Sequence, residues 1–195
     1  MCTESITTEI DWRRSLLGAG VLSVPVAIGC FYLYGPTLLG VAWTCFGAGL
    51  VLLALIDAKT QLLPDVLTLP LMWAGIVLQL FPQTRTVGLE ASIWGVVVGY
   101  VPLWLLAHGY WFIRRREGLG FGDLKLLAAM GAWSGPALIP GVIFLASLLA
   151  IAGVVIIRFT RQSRVGLMEA FPFGPWIIAA YMLSVTFGIM MPLQL

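Results

Sequence analysis

The feature that most restricts this chain is a succession of apolar runs, each about 20 residues long, divided by short polar segments. A run of that length crosses roughly 30 Å of hydrocarbon as a helix, and in lipid a helix satisfies its backbone polar groups internally. The runs cover 15–34, 37–56, 65–81, 90–113, 123–137, 138–158 and 172–192. They predict an all-α membrane helix bundle of about seven transmembrane helices. Composition removes the soluble alternative: only 10% of the 195 residues are charged and 60% are hydrophobic, against about 25% charged in soluble domains. The fifth run is short, and Ser134-Gly135-Pro136 after Trp133 blurs its end.

Charge gives the orientation. Residues 1–14 form a polar leader carrying Glu4, Glu9, Asp11, Arg13 and Arg14. The apolar run after it is too long for a signal-peptide core and lacks a small-x-small cleavage site, so it reads as the first span. With the N-terminus cytoplasmic, Arg13, Arg14, Lys59, Arg114, Arg115, Arg116, Lys125, Arg158, Arg161 and Arg164 all fall inside, and only Arg85 falls outside. This bias in short loops is the positive-inside pattern. It places Asp57, Asp65 and Asp123 at the same, cytoplasmic face. The net charge of +2 follows from that topology, and no basic, aromatic-interleaved surface for nucleic acid is present. Gly47, Gly49, Gly95 and Gly99 suit close helix packing. Cys2, Cys30 and Cys45 form no C-x-x-C pair, and with the lone His108 they supply no zinc site. His108 reads as a structural histidine, and no metal is expected.

Two segments put carboxylates where they are costly. The first is Ile56-Asp57-Ala58-Lys59-Thr60-Gln61-Leu62-Leu63-Pro64-Asp65. Asp57 ends a long apolar run, and a helix C-terminus is the wrong end for an anion. Pro64 disfavours helix at Leu63, so the chain should turn before Asp65, which then sits where an N-cap belongs. The second segment is Gly118-Leu119-Gly120-Phe121-Gly122-Asp123-Leu124-Lys125, in which Asp123 opens the fifth run. Capping is a reading for Asp123 too. Alternating Gly118, Gly120 and Gly122 leave one side of the segment without side chains, open to a second backbone. A nucleotide-binding loop is excluded because G-x-G-x-x-G spacing and a preceding strand are both missing. Acids in or beside membrane spans are functional candidates by default.

Gly120-Phe121-Gly122-Asp123 is a GxGD motif, and with Asp57 it resembles the type IV prepilin peptidases, aspartyl proteases distantly similar to archaeal preflagellin peptidases and presenilin. The resemblance extends over three ordered segments: Asp57 to Pro70, Glu117 to Trp133, and Pro172-Phe173-Gly174-Pro175. It covers roughly residues 37–192. It implies that 15–195 form a single transmembrane aspartyl peptidase domain behind the 1–14 leader, with Asp57 and Asp123 catalytic. Gly118, Gly120, Gly122, Asp65 and Lys125 would shape the site or bind substrate. Long members carry an N-terminal region with paired C-x-x-C motifs; this chain resembles the short form. Long members also N-methylate the new terminus with S-adenosylmethionine, and nothing in this sequence supplies an independent signature of that cofactor. Cleavage itself implies no cofactor.

Two carboxylates that share a proton can split a peptide bond, one activating water and the other protonating the carbonyl oxygen. The resemblance implies a type IV prepilin or pseudopilin as substrate, cut at the cytoplasmic face ahead of its apolar stem. It also implies pilus or type II secretion assembly machinery as partners and the bacterial cytoplasmic (inner) membrane as location, multi-pass. Arg114-Arg115-Arg116 reads as a topology determinant facing anionic membrane lipid. Two other classes remain: a small transporter using the acids as a proton relay, and a non-catalytic secretion-assembly subunit. A relay predicts carboxylates near mid-membrane and a path open to both sides.

Overall fold

The computed structural model of the chain describes residues 35–114, 120–160 and 172–190, together with 24–25 and 28–29. The 1–14 leader and most of the 15–34 run lie outside the described residues. The described chain forms six α-helices and no strand: α1 (Leu38–Thr60), α2 (Asp65–Leu78), α3 (Leu89–Arg114), α4 (Phe121–Ser134), α5 (Leu138–Thr160) and α6 (Gly174–Met190). Leu38–Thr60, Leu89–Ile113 and Leu138–Ile156 are long and apolar enough to cross a membrane. Their outward faces carry large apolar side chains, such as Trp94, Leu105 and Phe112 on α3 and Phe144, Leu148 and Ile151 on α5. Such faces suit lipid.

Local chemistry sets the helix ends. Thr37 caps α1, its Oγ1 accepting from Gly40 N–H at 3.1 Å. Gln61 stops the helix by adopting the left-handed conformation (φ 55°), and its N–H donates to Asp57 O at 2.8 Å. Pro64 then takes the N-cap of α2. Between α2 and α3 the buried Gln79 acts as an artificial turn: its Oε1 accepts from the N–H groups of Thr86, Val87 and Gly88 at 3.0–3.3 Å. α4 stops at Gly135 (φ 78°), directly before Pro136.

Two runs give shorter helices than expected. The 65–81 run is helical over 14 residues, and the 123–137 run also yields 14. Each spans about 21 Å at 1.5 Å per residue. α4 is short because it is the centre of the bundle. Every residue from Leu126 to Trp133 is buried, and it packs on α2 and α3 with further contacts to α5 and α6. A helix that is apolar all round is a core helix. Polar bonds tie its far end to its neighbours: Ser92 Oγ donates to Ala132 O at 2.7 Å, and Trp133 Nε1 donates to Leu71 O at 2.8 Å.

Small residues bring α3 against α4. Gly95 and Gly131 meet backbone to backbone, and a Cβ on either would collide with the other's carbonyl oxygen. A Cβ on Gly99 would lie 2.5 Å from Leu127 O. No side-chain rotation relieves such a clash. Gly95→Ala and Gly131→Ala are therefore expected to destabilise the protein by about 1–3 kcal/mol or more. Gly109→Ala and Gly141→Ala, with nothing within 4 Å of the added carbon, should be neutral or stabilising by up to about 1 kcal/mol. Thermal midpoints in detergent distinguish the two pairs.

Candidate active site

The site begins with the register of α1. Asp57 lies in its last turn and is buried, with 5% of its surface exposed. The helix dipole offers nothing favourable there, so the compensation comes from elsewhere in the chain. Gly174, the first residue of α6, donates its N–H to Asp57 Oδ2 at 3.0 Å. Only glycine fits, because a Cβ at 174 would lie 2.6 Å from the same oxygen. The acid thus stands at the C-terminus of its own helix and at the N-terminus of another.

Asp123 occupies the first turn of α4 and is partly buried. It is not the cap. Gly120 holds the N-cap position, and Asp123 N–H donates to Gly120 O at 3.1 Å. Its carboxylate lies within electrostatic reach of Asp57. The two acids therefore influence each other electrostatically although 66 residues (123 minus 57) separate them in sequence.

The remaining candidates divide by position. Gly120 is exposed, and a Cβ there would lie 3.4 Å from Asp123 Oδ2; its bareness keeps one approach to that carboxylate clear. Gly122 faces the other way, towards the α1–α2 turn, where a Cβ would lie 2.8 Å from Leu63 Cβ. Gly118 lies outside the described residues. Asp65 is not the cap of α2, because Pro64 is. As the first helical residue, Asp65 instead receives both oxygens' bonds from Lys125 Nζ, at 2.6 and 2.7 Å. A cross-helix cation displaced the local hydrogen bond that capping would need.

His108 stays structural. Its Nδ1 lies 3.0 Å from Trp104 O, and its ring packs on Trp104 and towards the edge of Phe121. Among the described residues no group of three His, Cys, Asp or Glu side chains could hold a metal ion. Sequence reasoning named Gly174 only within the 172–175 segment and gave it no role, and it missed Leu63. The signal for the first was present: Gly174 sits between Phe173 and Pro175 at a helix start, where a bare backbone N–H points outward. No local signal marks Leu63, which is one leucine among many.

Fold and site together define an all-helical membrane protein with a carboxylate pair at one end of its bundle. Residues 44–156 match the type IV leader peptidase family. The chain is 41% identical over 169 residues to a protein of Dickeya chrysanthemi named prepilin leader peptidase/N-methyltransferase, covering 86% of this chain and 57% of that one. Proteins of the same name from Escherichia coli and Neisseria gonorrhoeae are 36% and 39% identical, covering 84% and 89% of this chain and 71% and 59% of theirs. The chain thus spans little more than half the length of the Dickeya and Neisseria relatives. No solved structure matches it. The chain belongs to the type IV leader peptidase family.

Replacing Gly174 by Ala should push the Asp57 carboxylate out of its seat. Mass-spectrometric mapping after treatment with a hydrophobic carbodiimide is expected to show increased labelling of Asp57. Labelling of Asp65, on a different helix and exposed, should be unchanged.

Proposed function

We propose that this protein is an aspartic endopeptidase that removes the leader from type IV prepilins or pseudopilins, with Asp57 and Asp123 as its catalytic pair. The observation that carries this reading is a buried carboxylate within electrostatic reach of a second one at the same end of the bundle. Family membership supplies the reaction class, and the names of the relatives supply the substrate class. The bias of basic residues towards that end supports a cytoplasmic-facing site, and a multi-pass position in the bacterial inner membrane belongs to the same reading.

The chemistry follows from the pair. Close carboxylates resist double ionisation, so they hold one proton between them. The ionised member removes a proton from water as the water oxygen bonds to the scissile carbonyl carbon. The protonated member gives its proton to the carbonyl oxygen, producing a neutral tetrahedral diol. Proton transfer to the amide nitrogen then breaks the C–N bond, yielding a carboxylic acid and a free amine. The pair ends with one proton, as it began. Neither aspartate is privileged by a helix dipole, since Asp123 lies in the first turn of α4 and Asp57 bonds the first N–H of α6.

A substrate with an apolar stem in the bilayer and its scissile bond at the membrane face would meet the pair from the side of the exposed Gly120, which itself puts no side chain before Asp123. Lipid and the assembly machinery of the pilus or of type II secretion are the surroundings this reading implies.

The test is cleavage of a prepilin from the same genome in membranes. Asp57→Asn and Asp123→Asn should each lower the rate by about 100- to 10,000-fold while the protein inserts normally. Undiminished cleavage by either variant would sink the pair. The wild-type rate should also follow a bell-shaped pH profile: the doubly protonated pair lacks a base, and the doubly ionised pair lacks an acid.

A further inference from the structure

We propose that the α1–α2 turn is a positioning clamp that sets the separation of Asp57 and Asp123, gripping α4 through Leu63 over Gly122 and through Asp65 paired with Lys125. The inference rests on reading these two aspartates as the catalytic pair. No Cα of α1 comes within 8 Å of a Cα of α4. The helices that carry the acids meet through side chains, with Trp43 and Phe46 on Trp133 far from the acids, and not backbone to backbone; near the acids the α1–α2 turn is the bridge.

The turn is built to do so. Gln61 N–H is bonded to Asp57 O at 2.8 Å, and Leu62 N–H to Thr60 Oγ1 at 3.3 Å, while Pro64 fixes one further dihedral. A displacement of residues 61–65 is thus passed to the last turn of α1. On the other side, both grips fall on α4 within two residues of Asp123. Leu63 fills the space that glycine leaves at 122. Lys125 Nζ bonds both oxygens of Asp65 at 2.6 and 2.7 Å. The pair is partly exposed, at 30% for Lys125 and 52% for Asp65, and such pairs contribute little to stability. Its consequence is geometric: it fixes the second turn of α4 to the first turn of α2. Lys125 gains nothing from its own helix dipole at that end, so Asp65 is what holds it. Asp65, Lys125, Leu63 and Gly122 are positioning residues, because they act through the placement of Asp57 and Asp123.

The experiment has two readouts. In otherwise wild-type protein, Lys125→Asp and Asp65→Lys should each lower kcat for prepilin cleavage by about 10- to 100-fold, with KM changed less than about twofold. The double variant Asp65→Lys/Lys125→Asp should return kcat to within about threefold of wild type. A charge-independent pair repeats the logic: Gly122→Ala should impair cleavage, and adding Leu63→Ala should recover part of it.

The second readout needs no activity. With Cys2, Cys30 and Cys45 replaced by Ser, Asp57→Cys/Asp123→Cys should be bridged by a short bismaleimide. The yield should fall with Lys125→Asp and recover on adding Asp65→Lys. Equal bridging in all charge variants, or no recovery of either readout in the swap, overturns the clamp. If bridging follows the charges but the wild type cleaves no prepilin, the clamp stands and the peptidase reading falls. If bridging ignores the charges while cleavage still requires both aspartates, the reverse holds.

Discussion

The structure depends on a separation: the two helices that bear the acids are kept apart by aromatic side chains. Phe46 of α1 stacks on Trp133 of α4 with centroids 4.2 Å apart and planes at 12°. Trp43 meets the same indole edge-on at 5.4 Å, and Tyr181 of α6 closes on Phe46 at 5.9 Å. Rings of this size between two helices prevent the close approach that glycines allow between α3 and α4. They also fix register. Asp57 is 11 residues beyond Phe46, and Asp123 is 10 residues before Trp133. At 1.5 Å per residue both climb about 15–16 Å from the aromatic layer, so the two carboxylates arrive at the same level.

That separation explains why the acids depend on third parties. A direct helix–helix contact would fill the space between α1 and α4 with side chains and leave no room for a water or a peptide. Holding the helices apart by rings far from the acids leaves the carboxylates without close backbone packing between α1 and α4. The fold replaces it with backbone and charge from α6 and α2: the Gly174 N–H on Asp57, and the Leu63 and Asp65 contacts on α4. The glycines follow from this. Gly174 admits the Asp57 oxygen, Gly122 admits Leu63, and Gly120 leaves Asp123 uncovered. Three glycines near one site thus serve three different neighbours.

The sequence made the helices and the acids legible because both signals are local. Six of the seven apolar runs reappear as helices within a few residues of their limits, and the seventh lies mostly outside the described residues. Asp57 stood out because a carboxylate at the end of an apolar helix has no local excuse. The partners were not legible. Lys125 lies 60 residues from Asp65, and Gly174 lies 117 residues from Asp57. Local reasoning accordingly assigned Asp65 to the nearest donor, its own helix, when a lysine from α4 was within reach. The helix lengths of α2 and α4 failed for a related reason. An apolar run reads as a span whenever it could cross lipid, but burial inside protein favours the same composition at any length.

The shortness of α4 bears on the choice between a proton path and a one-sided site. A helix of about 21 Å does not cover roughly 30 Å of hydrocarbon, and it is stable there only because its neighbours surround it. Its ends can therefore lie below the membrane surface, where irregular backbone is tolerated if protein or a water-filled cavity covers it. Asp123 occupies one such end. The other end is sealed, since Trp133 is stacked under Phe46 and bonded to Leu71 O, and Ala132 O accepts from Ser92. A relay between the two faces would need polar groups along the gap between α1 and α4. Below the acids, Leu50 and Leu53 of α1 and Leu127 and Met130 of α4 are instead all fully or almost fully buried in one apolar core. Carboxylates with apolar packing below them suit chemistry on a bond presented from one face better than a relay between two faces.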